Sequence, residues 1–137
     1  MIGDELRPGL WRWTAYHEEW KEDVGSVALV TADEIVLIDP LVPAGQEERF
    51  FAELDRPAHV LITVFWHARS AGDIARRTGA RVWVYSRARA TIARRIGLEP
   101  HVFRLGDELP VELLLVSHGT PVLTRGDEAL AHALRLT

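Results

Sequence analysis

The sequence predicts a mixed α/β fold, with a strand-rich N-terminal part followed by regular alternation of strand and helix. Three observations carry this. Residues 26–31 and 34–38 are two apolar, β-branched runs joined by Ala32 and Asp33, which reads as a β-hairpin without the glycine a tight turn prefers. Apolar runs of strand length at 60–65, 81–85, 101–105 and 111–117 are interleaved with segments of helical period at 46–54, 69–78, 87–96 and 126–136. Gly79 and Gly97 each follow one of those helical segments, where a helix stops in the left-handed conformation.

Taken in order, residues 10–20 place Trp11, Trp13 and Ala15 on one face of a strand and Arg12, Thr14 and Tyr16 on the other. The acidic stretch 18–23 reads as a polar loop or hairpin end, and the hairpin runs follow it. Asp39-Pro40 closes the second of them, and Pro43, Ala44 and Gly45 form a loop. The segment 46–54 is a short amphipathic helix with Phe50, Phe51 and Leu54 inward, stopped by Pro57. The run 60–65 is apolar on both faces, as befits a central strand. Helix 69–78 turns Ala71, Ile74 and Ala75 inward, and the closing helix 126–136 turns Ala129, Leu130, Ala133 and Leu134 inward. No repeat, low-complexity segment or linker divides the chain, so a single domain over 1–137 is expected.

Composition narrows the function classes. At 137 residues and 47% hydrophobic content, the chain is long enough for a proper core without staples. It has no cysteine, which removes disulfides, thiolate metal sites and cysteine nucleophiles and fits a reducing cytoplasm. The N-terminal ten residues carry Asp4, Glu5, Arg7 and Pro8 where a signal peptide needs an apolar core, and no run approaches the ~20 residues of a membrane span. A soluble, cytoplasmic protein is expected. The net charge of -4 argues against a nucleic-acid partner. The arginines between Arg69 and Arg95 are the one charge anomaly, readable as a basic face for phosphates or as an ordinary solvated face.

Four local patterns occur in order: the hairpin V-A-L-V-T-A-D-E-I-V-L-I-D-P ending in Asp39, the stretch L-I-T-V-F-W-H-A-R-S-A-G, the strand and turn F-R-L-G-D-E-L-P, and the run L-L-L-V-S-H-G-T-P-V. Together they resemble the metallo-β-lactamase superfamily. The resemblance implies a four-layer αββα sandwich. The second stretch is in register with that family's T-H-x-H-x-D-H-x-G-G, and this implies that Val64 and Trp66 replace the paired histidines, Ala68 the aspartate and Arg69 the following histidine. Valine and tryptophan cannot ligate a metal, and Arg69 brings a permanent positive charge. Pro110 runs straight into Val111 where the family has several more strands, so a reduced sandwich lacking much of its second sheet is expected.

The sequence therefore points to a metal-free, non-hydrolytic member that binds a small anion or assembles with itself. Trp66, His67, Arg69 and His118 are the candidate ligand-binding residues, since a guanidinium offers paired donors to carboxylate or phosphate. The competing class is a hydrolase holding one zinc, iron or manganese ion on Asp39, His67 and His118. Each of these three has a plainer reading as well. His67 can be a polar strand-end residue bonded to its turn, His118 can cap a neighbouring carbonyl, and Asp39 can accept bonds within its own turn. A reduced second sheet would leave apolar surface uncovered, which suggests a homodimer. A third class, nucleic-acid binding through the arginine face, lacks a stacking platform or glycine-rich phosphate loop.

Overall fold

The structure, a computed structural model, describes residues 1–103. Among these residues, seven strands form one sheet in which every strand lies beside its neighbours in sequence: β1 (Asp4–Arg7), β2 (Leu10–His17), β3 (Glu22–Val30), β4 (Ile35–Ile38), β5 (Ala58–Ile62), β6 (Arg81–Tyr85) and β7 (His101–Phe103). The first four pair antiparallel, as hairpins require. From β4 onward the pairing is parallel, and helices α1 (Glu47–Ala52), α2 (Ala71–Thr78) and α3 (Arg89–Ile96) make the crossovers.

The three crossovers advance across the sheet in one direction, so the right-handed rule puts all three helices on the same face. The core agrees with this. Ile35, Leu37, Val60, Ile62, Val82 and Val84 are buried in one cluster with Phe50, Ile74, Ile92 and Ile96 from the helices. The register places Val27, Leu29, Val36, Ile38, Leu61, Trp83 and Tyr85 on the opposite face, which is also apolar. The described residues thus supply one helix layer and one sheet layer. The expected elements at 111–117 and 126–136 lie outside them.

Local chemistry explains the element ends. Gly79 and Gly97 adopt the left-handed conformation and close α2 and α3, as their positions predicted. Gly72 lets α2 approach α3 closely, since a Cβ there would stand 3.1 Å from the Ile96 carbonyl oxygen. Trp13 leans on Phe50 with ring centroids 5.9 Å apart and donates its indole N–H to the Leu41 carbonyl, joining β2 to the core.

Several boundaries differ from expectation, of which the following bear on the site. β5 ends at Ile62 rather than residue 65, and α2 begins at Ala71 rather than 69, so residues 63–70 form a turn-rich loop. β3 starts at Glu22, inside the acidic stretch expected to be loop, because pairing with β2 extends it. β1 has no strand-like pattern in its sequence and exists through its ladder to β2.

Candidate functional site

The loops after β4 and β5 lie side by side at the carboxyl ends of parallel strands, the usual place for a site in a parallel sheet. Asp39 leaves β4 with φ 45°, a left-handed conformation that costs a non-glycine residue energy and turns its carboxylate toward the β5 loop. There Oδ1 accepts the Thr63 amide at 2.8 Å, and Oδ2 accepts the Thr63 hydroxyl and the His67 ring, the latter at 2.8 Å. A carboxylate can only accept here, so Nδ1 of His67 carries the proton and Nε2 is left with a lone pair in the neutral ring. Both side chains of this pair are buried.

The Asp39 main chain is held as firmly as its side chain. Its carbonyl accepts from the Ser26 hydroxyl at 3.0 Å and from Nη1 of Arg69 at 2.6 Å. The Ser26 hydroxyl also accepts the Leu41 amide, the Ser70 hydroxyl accepts the Val42 amide, and the Ser70 amide donates to the Pro40 carbonyl. Two loops far apart in sequence are thereby laced together.

Arg69 is the unusual member. Its φ of 36° is also left-handed. Nη1 is spent on the Gly25 and Asp39 carbonyls, while Nε and Nη2 are buried without any hydrogen-bond partner. Burial pushes its pKa below the ordinary arginine value, and attraction to the Asp39 carboxylate works in the opposite direction. The edge formed by Nε and Nη2 is the one that matches a carboxylate or phosphate with two parallel bonds. Over the guanidinium lies the Trp20 ring, 5.6 Å from Cζ to centroid, and the same ring lies 5.6 Å from that of His67.

The structure brings together Asp39, His67 and Arg69 from the sequence-derived set. His118 lies outside the described residues. Trp66 is half exposed and stands edge-on to Phe65 and His67. Two plainer expectations are corrected: His67 bonds a carboxylate rather than only its turn backbone, and Asp39 accepts from another loop rather than within its own turn. Arg69 is also set apart from the other arginines of its stretch, being partly buried beneath an indole while Arg76, Arg77, Arg81, Arg87, Arg89, Arg94 and Arg95 are exposed. Sequence reasoning missed Trp20, His17, Ser26 and Thr63. The aromatic Trp20 inside an otherwise charged hairpin end was the available signal.

Residues 4–109 match the metallo-beta-lactamase superfamily, and the chain belongs to it. No curated protein matches. Among solved structures, a metallo-beta-lactamase from Staphylococcus aureus subsp. aureus COL is similar at 18% identity over 57% of this chain and 24% of that one, with a TM-score of 0.39. The BLEG-1 B3 metallo-beta-lactamase is similar at 13% identity over 77% of this chain and 56% of that one, with a TM-score of 0.43. The chain thus spans a quarter of one of these structures and just over half of the other.

A metal centre is what this membership implies, and the described residues do not fit one. Among them, no group of three or more histidine, cysteine, aspartate or glutamate side chains is gathered to hold an ion. Both Asp39 oxygens are engaged by Thr63 and His67, and the permanent charge of Arg69 lies against the same turn.

Proposed function

We propose that this chain is a metal-free, non-hydrolytic member of its superfamily that binds a small oxyanion, a carboxylate or a phosphate, on Arg69. The observation that carries the reading is the buried Nε and Nη2 edge with no partner. A buried donor without an acceptor costs about 1–3 kcal/mol, so two of them in one guanidinium mark a position suited to an incoming acceptor. Left-handed backbone at Asp39 and at Arg69 supports the reading, since strain of this kind gathers at binding sites. His67 and Trp66 flank the anion, and His118 is proposed as a further contact.

The test is titration with sodium acetate and with inorganic phosphate, read by calorimetry, together with elemental analysis of protein purified without chelator. Saturable binding lost on Arg69→Met, in protein free of stoichiometric metal, is the expected result. Stoichiometric zinc, iron or manganese that disappears on His118→Ala would overturn it in favour of the hydrolase reading.

Self-association is a second reading, favoured by the apolar sheet face opposite α1, α2 and α3, where Leu29 is 43% exposed. Light scattering at micromolar concentration is expected to give twice the 15.4 kDa chain mass, and a monomer rejects it.

A further inference from the structure

Resting on the oxyanion reading, we infer that Trp20 is a built-in competitor for the Arg69 edge: the β2–β3 hairpin tip holds its indole on the guanidinium and must withdraw before an anion can bind. The reasoning begins with accessibility. Nε and Nη2 of Arg69 are sealed from solvent as well as unpartnered. An anion therefore has no route to them while the surrounding side chains keep their places. Trp20 is the aromatic ring that lies over this guanidinium.

The tip is arranged to hold the ring there. Trp20 stacks on His17 with ring centroids 4.0 Å apart and planes inclined by 11°, and its amide donates to Nδ1 of His17 at 3.3 Å. Lys21 donates its amide to the His17 carbonyl at 2.8 Å and takes φ 55°, closing the turn in a left-handed conformation. The indole thus has the His17 imidazole stacked on it, and the Arg69 guanidinium and the His67 ring each stand 5.6 Å from its centroid.

The tip also has room to move. A cleft of about 590 Å3, lined by His17, Glu18, Glu19, Leu41, Pro43 and Glu47, runs along it. Glu18 and Glu19 are exposed and bonded to nothing among the described residues. Their charge opposes an incoming anion while the tip is down. Movement of the tip into the cleft uncovers the donor edge and carries those carboxylates with it.

The size of the effect follows from the contact to be broken. A cation–π contact contributes about 0.5–1 kcal/mol when exposed and about 2 kcal/mol when desolvated, equivalent to a factor of about 2–30 in apparent affinity. Apparent affinity is the intrinsic value reduced by the fraction of open molecules. Removing the indole therefore tightens anion binding rather than weakening it. A residue that contacts the ligand would do the reverse.

The experiment titrates wild type, Trp20→Ala, Trp20→Phe and Arg69→Met with sodium acetate and, separately, inorganic phosphate. It follows the Arg69 Nε–H resonance and the backbone amides by NMR. Trp20→Ala is expected to bind either anion about 2- to 30-fold more tightly than wild type, with Trp20→Phe in between and no binding to Arg69→Met. The same spectra report whether each variant is folded, and Trp20→Phe keeps an aromatic tip if the alanine variant is not. Arg69-dependent binding that is unchanged or weaker in the Trp20 variants overturns the competitor and leaves the oxyanion reading standing. Absence of Arg69-dependent binding in both wild type and the Trp20 variants overturns both.

Discussion

Replacing Arg69 with methionine separates a binding arginine from a structural one. The substitution keeps an unbranched stem of similar length and removes the guanidinium. Two charge-assisted bonds are lost, from Nη1 to the Gly25 and Asp39 carbonyls. At about 1.5–3 kcal/mol each, they sum to a gross loss of about 3–6 kcal/mol. Against this, the variant no longer buries Nε and Nη2 without acceptors, which at about 1–3 kcal/mol each returns about 2–6 kcal/mol. The Asp39 carbonyl also keeps its bond from the Ser26 hydroxyl. The two totals nearly cancel, so unfolding free energy in anion-free buffer is expected to change by less than about 2 kcal/mol. Urea unfolding at pH 7 with an unchanged slope is the assay. Wild type should then gain about 2.7 kcal/mol with anion at a hundred times its dissociation constant, and the variant nothing. A loss above about 3 kcal/mol in anion-free buffer would refute the reasoning, because it would mean that the guanidinium acts as a satisfied tie between β3 and the Asp39 turn.

Three further outcomes are expected. Asp39→Asn removes a buried carboxylate that accepts from Thr63 and His67, and should cost about 2–4 kcal/mol in urea unfolding while the Arg69 resonance shifts. Lys21→Gly relieves a left-handed φ of 55° and should raise stability by about 1 kcal/mol, seen as a higher melting temperature. Gly3→Ala places a Cβ 2.3 Å from the Arg12 carbonyl oxygen at φ +90° and should cost at least about 2 kcal/mol by calorimetry.

The order and type of most elements were legible because their signals are local. The glycines after α2 and α3 mark helix ends by conformation alone, and the β-branched runs of β3 and β4 mark strands by period. β1 was not legible, since four polar-flanked residues become a strand only when β2 is beside them. The end of β5 was overextended because Val64 and Phe65 are as apolar as the strand, and nothing in their composition says that Asp39 captures Thr63 and turns the chain. In the candidate site, Asp39, His67 and Arg69 were found through the family register. Their pairing was not, because it depends on contacts across 28 and 30 residues of chain. Trp20 illustrates the same limit: its sequence neighbours are mostly charged, and its contacts with Arg69 and His67 lie in another loop.

Among the described residues, each of the seven strands lies beside the strands that precede and follow it in the chain. The antiparallel pairs of β1 to β4 are joined by short turns and favour rapid folding, whereas each parallel pair must first close over a crossover helix. The strand order also matches the direction of synthesis. As each new strand leaves the ribosome, the edge it must join is already in place, and the exposed edge moves along with the growing chain rather than persisting in one place. The order of the described strands therefore allows assembly to follow synthesis, from β1 to β7.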